Sequence, residues 1–96
     1  MSIVKIPKTT KILGVPYKVS TIKQPELGSK SWGEIDHINQ TIAVLDIGQE
    51  AKEKTFLHEI IHGIDLCIGI DLDETQVERM AQGLYVWLSE NGLKIG

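Results

Sequence analysis

The sequence predicts an α+β domain: a small antiparallel sheet of three or four strands, followed by two antiparallel helices. Three observations predict it. Up to residue 47, short β-branched and apolar runs alternate with Gly, Pro and Asn turn signals. From Gly48 on, apolar residues recur at helical spacing in two stretches joined by a short link. On the first of these stretches lies His58-Glu59-Ile60-Ile61-His62, an H-E-x-x-H motif.

The chain of 96 residues makes one domain, 1–96, large enough for a single modest core. Its net charge of −3, with no basic block, argues against electrostatic binding of nucleic acid. No apolar run approaches the roughly 20 residues of a membrane-spanning helix, so no membrane partner is expected. Met1 to Lys8 is interrupted by Lys5 and Pro7 and has no apolar signal core. Cys67, the only cysteine, has no partner within the chain and points to a reducing compartment. A cytoplasmic location is the expectation.

In chain order, Ile3 to Pro7 reads as a short edge strand or arm. Lys11-Ile12-Leu13 and Tyr17 to Ile22 flank Gly14-Val15-Pro16 as a hairpin, with Gly14 supplying the turn. In the second of these strands Tyr17, Val19 and Thr21 face one way, Lys18 and Ser20 the other. Gln24 to Lys30, with Pro25 and Gly28, is a loop. Ser31 to Asp36 is a weak strand with Trp32 and Ile35, and His37 to Gln40 a turn. Thr41 to Leu45 is nearly all apolar, the pattern of a strand buried on both faces.

Gly48 breaks the chain, and a helix runs from about Gln49 to Cys67 or Ile68. Leu57, Ile60, Ile61, Ile64 and Ile68 form its apolar stripe. Gly69 ends it. Asp73 caps the second helix, with Gln76 as its capping-box partner. Val77, Met80, Ala81, Leu84, Tyr85 and Leu88 form the second stripe, and Asn91-Gly92 stops it.

The motif carries the chemistry. His58 and His62, four apart on a helix, share one face, so both imidazoles reach a single Zn²⁺ at about 2.0–2.1 Å. Glu59 lies about 100° around the helix, placed to reach a water beside the metal rather than the metal itself. Two ligands and a general base are the division of labour of a metalloprotease. The bland alternative is a helix with two histidines at its polar margin. A catalytic zinc site takes three protein ligands and keeps one position open, so a third is needed. The antiparallel second helix carries Glu74 and Glu78 one turn apart. Glu74 as ligand, with Glu78 hydrogen-bonding a ligand histidine, is the first assignment; Glu78 as ligand fits nearly as well.

Thr55 to Leu88 resembles the gluzincins, metallopeptidases with H-E-x-x-H and a glutamate on a following helix. In several of these families that helix carries E-x-x-A-[DN]-x-x-A, whose first Glu is the ligand. Glu74-Thr75-Gln76-Val77-Glu78-Arg79-Met80-Ala81 is similar, with Val77 for the small residue and Glu78 for Asp or Asn. Together with the small size, the stretch Ala81 to Tyr85 resembles compact phage and prophage proteins related to repressor-cleaving metallopeptidases. The resemblance covers about a third of the chain. It implies a minimal zincin, a zinc-dependent metallopeptidase with a protein or peptide substrate, and a regulatory protein as the class cut. It also implies a strand beside the active helix that pairs with substrate backbone, for which Thr41 to Leu45 is the candidate by order. The alternative is a zinc-stabilised regulatory module that binds without cutting; a small domain gains much from a structural metal.

The remaining residues have plainer expectations. His37 is a turn histidine, with an approach to the metal as the sharper option. Asp65 shares the ligand face and is a candidate third ligand or an acceptor for a ligand histidine, ranked below a residue from a separate helix, whose longer reach gives better tetrahedral geometry. Cys67 is expected as a small buried hydrophobe. Tyr17 and Tyr85 are candidates to donate to an oxyanion, with packing the better role for Tyr85. Trp32 and Trp87 are expected in the core or at an interface.

Overall fold

The structure, a computed structural model, describes residues 3–23 and 32–95. The Gln24 to Lys30 loop lies outside them. Four strands, β1 (Thr9–Ile12), β2 (Val15–Ile22), β3 (Gly33–Asp36) and β4 (Thr41–Leu45), precede two helices, α1 (Gln49–Ile68) and α2 (Glu74–Glu90). The α+β class is as the sequence predicts.

The sheet is mixed rather than antiparallel. Its order is β1-β2-β4-β3, with antiparallel pairs at both ends and β2 parallel to β4 in the middle. The two antiparallel pairs come from tight turns that the sequence announces. The parallel pair joins the two hairpins; residues 23–40, β3 among them, separate β2 from β4 in the chain, and no turn code marks that pairing. β4 therefore has β2 on one side and β3 on the other. Thr41 to Leu45 has no free edge for a substrate strand; the free edge on that side of the sheet belongs to β3.

The first hairpin turns at Leu13-Gly14, both at positive φ (48° and 87°), so β2 starts at Val15 and not after Pro16. A two-residue loop needs positive φ at both centres to match the twist of its strands. Ile3 to Pro7 joins no sheet. Val4 bridges Ile95 in parallel, and Ile3 N–H donates to Glu53 Oε1 at 2.7 Å, with Val4 N–H donating to the same oxygen. Gln49 Nε2 takes the other oxygen of Glu53 at 2.6 Å. A fully buried carboxylate is tolerated here because backbone and amide donors satisfy it.

α1 packs on β1, β3 and β4 along one side and on α2 along another. The core joins Ile12, Tyr17, Ile42, Val44, Phe56, Leu57, Ala81, Tyr85 and Leu88. On β4 only Ile42 and Val44 are buried, while Ala43 and Leu45 are half-buried, so the sheet is fully covered on one face. Gly63 sets how closely α1 approaches that face: a Cβ there would lie 2.5 Å from Ile12 Cδ1. The apolar stripes are shorter than their periodicity implies. Ile64 and Ile68 at the end of α1, and Met80 and Leu84 on α2, are exposed. Asp73 caps α2 with the complete capping box through Gln76. Among the described residues no helix is long and apolar enough to cross a membrane.

Candidate metal centre

The site is built where α1 passes the first turn of α2. His58 and His62 stand one turn apart on α1, their ring centroids 4.8 Å apart and their Nε2 atoms 3.1 Å apart. Glu74, the first residue of α2, spans them: Oε1 is 2.5 Å from His58 Nε2 and Oε2 is 3.0 Å from His62 Nε2. One ligand atom from each of the three lies within 4.8 Å of the others. Two imidazole nitrogens and a carboxylate oxygen converging on one point are the donor set of a divalent metal with an open position. The capping box at Asp73 fixes where α2 begins, and so where Glu74 points.

The reach of the third residue depends on the α1–α2 link. Asp65 supplies it: its carboxylate accepts from Asp71 N–H at 2.7 Å and from Leu72 N–H at 3.2 Å. It is occupied in closing the link and stands outside the ligand group. Glu78, one turn beyond Glu74, forms no hydrogen bond or ion pair with either histidine and instead lines the cleft further along.

Glu59 is 6% exposed, and its carboxylate has no hydrogen-bond partner among the described residues. Burial, reinforced by the carboxylates of Glu74 and Glu34, pushes its carboxyl up to about 7. An ionisable group held in such a place is costly, which marks it as a functional candidate rather than a packing residue. Its nearest wall is Gly33 on β3. A Cβ there would lie 2.5 Å from Thr55 Cγ2 and 3.0 Å from Glu59 Oε2. Sequence reasoning missed Gly33. The available signal was an isolated glycine inside a strand, which often marks close approach of another group.

Two depressions meet at the site. One, of about 790 Å³, extends from His58 and Glu59 between the N-terminal half of α1 and α2, with Trp32, Lys54 and Glu78 on its walls. The other, of about 490 Å³, runs over Glu34, His37 and Leu66. Gly33, His58, Glu59 and Glu74 line both, so together they form a groove that crosses the triad. His37 is not a free turn histidine: its Nδ1 is 3.1 Å from Tyr17 Oη. It lies on the groove wall but outside the ligand group. Tyr17 is thereby engaged, and Tyr85 is buried in the core with the Lys54 ammonium 5.4 Å from its ring. Trp32 and Trp87 are exposed, not core, and Cys67 is exposed rather than buried.

Comparison with protein-family models, with curated proteins and with solved structures returned no match for this chain.

Proposed function

We propose that this chain is a zinc-dependent peptide hydrolase acting on an exposed, extended segment of a regulatory protein. The observation that carries the reading is Glu59: a residue only 6% exposed whose carboxylate borders the groove beside three residues that can converge on a metal. A site serving only to hold the fold together has no use for it.

His58, His62 and Glu74 would hold the metal. Zinc bound there supplies Lewis acidity, which lowers the pKa of water toward ~7 and polarises a carbonyl. Glu59 takes the proton of the attacking water and returns it to the leaving amine. Gly33 leaves the space in which Glu59 does this. The free edge of β3, rather than β4, is where a substrate backbone would add as a strand. An edge addition requires an extended segment with its backbone groups unpaired. The groove is open over the triad, and no fourth protein ligand joins the group among the described residues, which supports the catalytic reading over a closed structural site.

Metal titration of the purified chain tests the foundation. One zinc per chain is expected, lost in His58→Ala and His62→Ala. Glu74→Ala should weaken it far more than Glu78→Ala. An intact chain that takes up no zinc contradicts the proposal.

A further inference from the structure

The 790 Å³ depression beside the triad is not electrically neutral once its own ion pair is set aside. Among the described residues Lys54 is the one lysine or arginine on its walls. Glu50 pairs with it at 3.0 Å and the Tyr85 ring centre lies 5.4 Å from its ammonium, so its charge is drawn to the Glu50 side of the depression. Glu74 faces the metal position. That leaves Glu78, whose carboxylate has no ion-pair partner among the described residues, and Trp32, 59% exposed on the β3 side. Glu59, 6% exposed, lines the inner end. An exposed indole face attracts a cation through its quadrupole, and a free carboxylate does so by charge.

We infer that this depression is a subsite for a long cationic side chain, arginine or lysine, of the segment that crosses the triad. The inference rests on the hydrolase reading for the direction in which the segment lies. Arginine suits the subsite best, because its planar guanidinium can stack on Trp32 while donating to Glu78. The exposed positions of both residues let the aliphatic stem lie along Ala51 and Ala81, with the charged head at the solvent side. An acidic side chain lying at the outer end of the depression, away from the triad, would face the Glu78 carboxylate.

The test uses the full zinc-loaded chain carrying Glu59→Gln, so that bound peptide stays intact. Binding is measured for matched ten-residue extended peptides that differ only at one central position: Arg, Leu or Glu. The Arg peptide should bind about tenfold tighter than the Leu peptide at low salt, and the Glu peptide more weakly than either. Adding Glu78→Gln or Trp32→Ala should each remove most of the Arg-over-Leu ratio while leaving the melting temperature little changed, since both side chains are exposed. Equal binding of Arg and Leu peptides, a preference that survives both substitutions, or no binding of any of the three would overturn the subsite. Preference for Arg without cleavage by the unsubstituted chain would still support the subsite while removing the hydrolase reading.

Discussion

Glu59 bears a cost that the proposed chemistry accounts for. Its carboxyl in the folded chain is raised from 4.5 to about 7. The unfolded chain therefore loses this proton first, and stability falls as pH rises from about 4.5 to about 7, then stays low above that range. Glu59→Gln removes the charge and keeps the shape. In the metal-free chain it should raise stability by about 1–2 kcal/mol at pH 8 and by much less near pH 4.5. Thermal melts of both forms at the two pH values check this; an unchanged or lower melting temperature at pH 8 contradicts it. Gly33 is the complementary residue. Its missing Cβ is the space between β3, the Thr55 methyl and Glu59. Gly33→Ala should cost about 1–3 kcal/mol by overpacking and depress hydrolysis even in molecules that stay folded. Wild-type stability and activity in this variant would show that the contact can relax without consequence.

At the level of elements, the site depends on the start of α2. Glu74 follows directly on the Asp73 cap, so its direction is set by where the helix begins. Asp73→Ala should cost about 1 kcal/mol of stability. It should also weaken zinc, because the first turn would fray with a ligand on it. A zinc competition titration that finds unchanged affinity would show that the metal itself can hold Glu74 in place. Much of this level was legible in the sequence. Capping box, helix bounds and ligand face all follow from local spacing around Asp73 and His58. The parallel pairing of β2 with β4 was not, because it is a long-range contact made across residues 23–40 with no local code. The free strand edge expected at Thr41 to Leu45 lies elsewhere for the same reason. Thr41 to Leu45 looks like the strand nearest α1 in sequence, yet pairing puts β3 outside it. Periodicity also overestimated burial: it reports which face is apolar, not how far the partner extends, so Ile64, Ile68, Met80 and Leu84 read as core and are exposed.

For the whole molecule, a metal held by the triad would join the two helices. The candidate ligands come from α1 and from the first turn of α2, which otherwise meet through a modest core. A ligand that binds only the folded chain at about 100 times its Kd adds about 2.7 kcal/mol. For a domain of this size that corresponds to roughly 10–20 °C in melting temperature. Zinc-loaded chain treated with a chelator should lose about that much and regain it when zinc is restored. A melting temperature indifferent to chelator would mean that the helices are fixed without metal.

The central claim is that Glu59 moves a proton at a zinc site during peptide hydrolysis. The direct measurement is mass spectrometry of fragments from an extended peptide or unfolded protein, incubated with zinc-loaded wild type and with Glu59→Gln. Chelator-sensitive cleavage by wild type is expected, reduced roughly 10²–10⁴-fold in Glu59→Gln with zinc still bound. Equal cleavage by the two forms, or cleavage that a chelator leaves untouched, would contradict it.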